Sequence, residues 1–192
     1  MAIDKVVSAS ITTDAVGPTQ LNEASNYAFT GTVTGAGGIT VAQQWRLSSN
    51  LSCSSTNTQT LISANIEQVD TAGYGGLGSA MSVSSGIFTF PTTGVYLVQV
   101  NAVWYNNTPD YCGIQIHTTT DNSNYTEAQS SYQAIESGNG QHAHTRGDHI
   151  FDVTNTSTHK VKFMYLVAEA TTLNGSTSVS NTYFNFIRLA NT

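Results

Sequence analysis

Residues 94–105, GVYLVQVNAVWY, decide how the rest of this sequence is read. Tyr96, Val98, Val100, Ala102 and Trp104 recur at every second position, the period of a β-strand with one apolar face. The opposite face mixes Val95, Leu97 and Val103 with Gln99 and Asn101, so it is either half-solvated or packed against a neighbouring subunit. Residues 160–170, KVKFMYLVAEA, repeat the pattern, with Val161, Phe163, Tyr165 and Val167 opposite Lys160, Lys162, Met164 and Leu166. Working outward, turn signals recur at short intervals, and strands are expected over 41–47, 61–69, 86–90, 95–105, 112–118, 126–135, 142–153, 160–169 and 178–189. About nine strands without a convincing helix imply an all-β, antiparallel sandwich.

The first 40 residues read differently. Ile3, Val6, Val7, Ile11, Val16 and Leu21 are scattered among Ser, Thr and Asp, and Gly35, Gly37 and Gly38 loosen the end of the segment. Such a segment cannot close a core, so residues 1–40 are expected to be an extended arm. Its Ile3, Val6, Val7 and Ile11 would be buried against another protein, ahead of a head domain over 41–192.

Composition narrows the function. A chain of 192 residues supports one ordinary domain and buries roughly 70 % of its unfolded surface without metal or disulfide staples. Charged residues make up only 9 % of it, against about 25 % in average proteins, and 21 Ser, 28 Thr and 16 Asn take their place. With six Lys and Arg and a net charge of −6, a nucleic-acid partner is not expected. The longest apolar run is six residues, 163–168, too short to span a bilayer, so no membrane insertion is expected. MAIDKVVSAS lacks the apolar core of a signal peptide, which argues against export by that route. Cys53 and Cys112 fit no zinc or redox spacing and read as reduced, incidental thiols.

Two resemblances rest on particular strings. GIFTFPTTGVYLVQV, residues 86–100, and NTYFNFIRLA, residues 181–190, resemble the jelly-roll heads of the complement-globular-head and tumour-necrosis-factor-like superfamily. In physical terms, Pro91 and Gly94 would make a corner and Tyr96 would anchor the next strand. This resemblance, over roughly residues 41–190, implies a jelly-roll β-sandwich and a homotrimer. AQQWRLSSN, ISANIEQVD and GSAMSVSSGIFTFPTTGVY are similar to small jelly-roll proteins of marine tailed bacteriophages. SITTDAVGPTQLNEASNYAFTGTV resembles segments of phage tail-fibre and decoration proteins. That second likeness implies a virion protein whose arm grips another capsid or tail protein.

The chemical motifs are weak. His142 and His144 share a strand face near Asp148 and His149, yet a metal would need a third ligand, which only a threefold axis would supply; no metal is expected. Arg146-Gly147-Asp148 spells an adhesion tripeptide, but within a strand or turn it reports backbone chemistry. Sequons at Asn50, Asn106, Asn124, Asn155 and Asn174 are expected by chance in so Ser/Thr-rich a chain. Glu127, Glu136, Asp148, Asp152 and Glu169 fall on separate segments, there is no nucleophile elbow, and Gly73–Gly78 has no helix after it; neither a catalytic site nor a cofactor is expected.

Aromatic residues carry the remaining signal. Tyr96, Trp104, Phe163, Tyr165, Phe184 and Phe186 belong to the core or to a trimer interface. Tyr74 and Tyr125, with Tyr132, are expected to be exposed, either as plain rim residues or as contacts to a host surface glycan. The expectation is a trimeric capsid decoration or head-fibre protein, exposed on the extracellular particle. The alternative is a tail-associated adhesin.

Overall fold

The computed structural model describes residues 38–54, 56–106, 110–135 and 140–192; the arm residues Ile3, Val6, Val7 and Ile11 lie outside them. Thirteen strands occur in order among the described residues: β1 (Ala42–Leu47), β2 (Ser49–Cys53), β3 (Thr60–Leu61), β4 (Ile66–Gln68), β5 (Ser82–Ser84), β6 (Ile87–Thr89), β7 (Gly94–Asn106), β8 (Asp110–Thr119), β9 (Thr126–Ile135), β10 (Gln141–Val153), β11 (Lys160–Val167), β12 (Thr171–Ser176) and β13 (Tyr183–Ala190). None of the described residues is helical.

The strands form two antiparallel sheets. In the seven-stranded sheet, β7 pairs with β10 along its whole length on one edge. On its other edge it meets β13 and then β12; β13 continues to β1 and β4, and β12 to β2. The six-stranded sheet runs β5-β6-β11-β8-β9, with β3 sharing the β6 edge of β11. This is the expected jelly-roll sandwich.

The alternation read from β7 holds: Tyr96, Val98, Val100, Ala102 and Trp104 are all fully buried between the sheets. On β11, Val161, Phe163, Tyr165 and Val167 point the same way. Phe88 on β6 joins the two layers. Its ring lies 5.6 Å from Trp45, 5.7 Å from Phe163, 5.8 Å from Phe184 and 4.9 Å from Phe186. Tilted and edge-on pairs of this kind add to the hydrophobic gain of burying each ring. Tyr96 holds the β6–β7 corner as expected, its hydroxyl donating to Thr92 O at 3.0 Å while the ring packs 4.7 Å from Phe90. Trp104 satisfies its indole by donating to Thr145 Oγ1 at 2.8 Å.

Several boundaries differ from expectation. The strand expected over 61–69 is two short ones, because Asn65 adopts a left-handed φ of +59° between β3 and β4. Only the later part of 178–189 pairs; before it Asn181 N turns back onto Val179 O at 3.0 Å. Strands β2, β5 and β12 have no counterpart among the expected strands. Cys53 and Cys112 are buried and unbridged, and burial pushes both thiols up to about 12, which removes the thiolate needed for reaction.

Candidate functional site

The six aromatic residues assigned to core or interface are all core: Tyr96, Trp104, Phe163, Tyr165, Phe184 and Phe186 are at most 4 % exposed within a single chain. None of the six reaches the outward faces of the two sheets.

On the seven-stranded sheet the outward face is ordered in rows by the strand register. Ala42, Ile187, Leu97 and Ile150 stand side by side on β1, β13, β7 and β10. Ile150, at 63 % exposed, is the most open large apolar side chain among the described residues. The next row is Gln44, Asn185, Gln99 and Asp148. Its amides donate in one direction: Gln44 Nε2 to Asn185 Oδ1 at 2.9 Å, Asn185 Nδ2 to Gln99 Oε1 at 3.4 Å, and Gln99 Nε2 to Asp148 Oδ1 at 2.7 Å. The last bond is charge-assisted, and Arg146 Nε lies 3.7 Å from the same carboxylate oxygen. Each amide thus spends one of its two N–H groups on its neighbour, and the row ends on the exposed Asp148–Arg146 pair.

The Arg-Gly-Asp tripeptide is part of this arrangement. Arg146 and Asp148 share the exposed face of a straight strand, while Gly147 turns inward, where a Cβ would collide with Gln129 Oε1 from β9. His142 and His144 stand on the same exposed face, His142 with its ring 5.2 Å from Tyr105. His149 has the opposite parity and packs 6.0 Å from Phe151, so the three histidines do not converge.

Tyr74 borders this sheet rather than reaching into solvent. Its hydroxyl accepts from Gln44 N at 3.0 Å and donates to Gln43 Oε1 at 3.1 Å, pinning its loop to β1. A groove of about 290 Å³ lies beside it, lined by Ala42, Gln44, Asn185 and Ile187 among others.

The outward face of the six-stranded sheet is different. Gly113, Gln115, His117 and Thr119 alternate with the core residues of β8, yet they too are buried. Part of the cover is the segment before β3: Asn57 N donates to Val167 O at 2.7 Å, and Gln59 Nε2 reaches Glu127 Oε2 on β9 at 2.9 Å. Beneath it, Gln115 Nε2 donates to Glu127 Oε2 at 3.1 Å and to the Tyr132 hydroxyl at 2.8 Å. His117 Nε2 lies 3.2 Å from Gln115 Oε1, and burial, aided by the Lys162 charge, lowers its pKa.

Tyr125 stands at the edge of this face, on the opposite sheet from Tyr74; the two cannot line one ligand site. The turn before Tyr125 is organised by Asp121, which accepts from Asn124 N at 2.8 Å, Asn124 Nδ2 at 2.7 Å and Ser123 N at 2.9 Å. Those bonds hold its carboxyl well below the usual range. Lys162 Nζ sits 4.2 Å above the Tyr125 ring, and burial raises the phenol pKa. The exposed tyrosine of this face is instead Tyr132, packed on the bare α-carbon of Gly113. An isolated glycine inside an alternating strand is the one sequence signal for that close approach.

No family model matches the chain, and no curated protein matches it in sequence. Solved structures do share the fold. The structure of Eiger TNF from S. frugiperda superposes with a TM-score of 0.60 at 12 % identity, over 79 % of this chain and 94 % of that one. Murine APRIL at pH 8.5 gives 0.55 at 13 % identity, over 78 % of this chain and 98 % of that one. Likeness at this identity establishes a tumour-necrosis-factor-like jelly roll and nothing finer.

Proposed function

We propose that this chain is a structural protein of a tailed-phage virion. Three copies associate through the outward face of the seven-stranded sheet, and residues 1–40 fasten the trimer to the capsid as decoration. The role is structural and non-catalytic, and the head is exposed on the extracellular particle. The observation that carries self-association is the row Ala42–Ile187–Leu97–Ile150 beside a row of mutually bonded amides. Apolar groups gain by leaving water, and the amides keep their bonds to one another when covered. The virion setting is supported by the similarity of residues 42–50, 62–70 and 78–96 to phage jelly-roll proteins. A chain with only 9 % charged residues suits a protein packed among others on a particle.

A second reading places the same head on the tail as an adhesin, and the exposed, fixed ring of Tyr132 favours it. Immunogold labelling of purified virions, with an antibody against residues 41–192, separates the two. Label over the capsid is the expected result, label confined to the tail establishes the adhesin, and unlabelled particles overturn the virion assignment.

A further inference from the structure

We propose that the outward face of β8 and β9 around Tyr132 is a binding site for a neutral pyranose unit of a glycan. This goes beyond the structural role above and stands or falls separately from it.

The centre of the site is an aromatic ring held in place before any ligand arrives. Tyr132 lies against the α-carbon of Gly113, where a Cβ would collide with Cδ1 and Cε1 of the ring. Its hydroxyl oxygen accepts from Gln115 Nε2 at 2.8 Å, and Gln115 is itself fully buried. Tyr111 packs edge-on at 6.0 Å and 74°, and its own hydroxyl is fixed on Asn57 Oδ1 at 3.0 Å. Despite these restraints, Tyr132 is 47 % exposed. A ring so fixed offers apolar surface without losing side-chain entropy on binding, and the C–H face of a pyranose is what such a surface takes.

Polar groups of the matching kind stand beside it. Ser130 is exposed opposite Gln115, about 7 Å along β9 from Tyr132. Beyond the register shift in β9 comes Glu127, whose Oε2 is held by both Gln59 and Gln115. Its Oε1 accepts no hydrogen bond from the described residues, and the Tyr132 O–H proton has no acceptor among them. A fixed carboxylate oxygen takes protons from sugar hydroxyls, while the phenol and the serine donate to sugar oxygens. With this carboxylate in the site and a chain charge of −6, an acidic sugar is disfavoured.

The test uses the full chain on a printed array of neutral glucose-, galactose- and mannose-based oligosaccharides beside sialylated and sulfated ones. Saturable retention on neutral spots is expected, weakened about tenfold or more by Tyr132→Ala and by Glu127→Gln. Ser130→Trp fills the site from an exposed position, and it should abolish retention with the melting temperature unchanged. Retention confined to acidic spots, no retention at all, or retention indifferent to Ser130→Trp and Glu127→Gln would overturn the proposal. A trimer that ignores every sugar would leave the structural role standing.

Discussion

The two outward sheet faces of this jelly roll solve the same problem in opposite ways. On the six-stranded sheet the chain covers much of its own polar face. Gln59 is tied to Glu127, and Gln115 and His117 are buried under the cover. On the seven-stranded sheet the polar side chains bond sideways along the strand register, and the apolar row beside them stays open at Ile150. On the proposal above, the uncovered face with its apolar row is the one that meets a large partner. The other face is covered over Gln115 and His117 but leaves Glu127, Ser130 and the fixed ring of Tyr132 exposed, and on the proposal above it takes a small ligand.

The strongest way to break that contrast is Leu97→Arg, which puts a charge into the apolar row. Burying it unpaired would cost several kcal/mol, so association should be lost while the circular dichroism of the sheets is unchanged. A variant that still assembles would remove the row from the interface. Next in size is Gly113→Val, which displaces the Tyr132 ring; overpacking of this kind costs about 1–3 kcal/mol, read as a melting point several degrees lower with assembly intact. An unchanged melting point would mean that the ring is not seated there.

Gln99→Ala cuts the amide row before Asp148 and should destabilise by about 1 kcal/mol in chemical denaturation. A neutral outcome would show that the row adds nothing to the fold. The smallest expected effect is acid sensitivity at His117, whose folded pKa lies below its ordinary 6.5. The folded state then holds fewer protons than the unfolded one below that value, so its contribution is complete above pH 6.5 and is lost as pH falls through the folded pKa. His149 is lowered in the same sense by burial, whereas Asp121 acts only below its ordinary 3.8. Melting points between pH 7 and 5 should fall less steeply for His117→Gln than for the natural chain; identical slopes would exclude His117 as a cause.

Much of the sandwich is legible because long strands carry their parity openly. β7 and β11 place large apolar residues at every second position, and Tyr96 sits where a corner needs an anchor. Strands β2, β5 and β12 read SNLSC, SVS and TTLNGS, with too few large residues to show a period; they form because neighbouring strands offer an edge. The candidate site is harder to read. Tyr74 and Tyr125 look alike in sequence, but a backbone amide bond occupies one and a lysine covers the other. The Tyr132–Gly113 contact depends on the β8–β9 register, which no local pattern encodes. The rows across the seven-stranded sheet likewise exist only once four strands are aligned.

The measurement that bears most directly on this account is sedimentation equilibrium of the full chain at micromolar concentration. The predicted mass is three times the chain mass of 20.4 kDa, falling to one chain in Leu97→Arg. A natural chain that sediments as a clean monomer would contradict the assignment of the seven-stranded face to self-association.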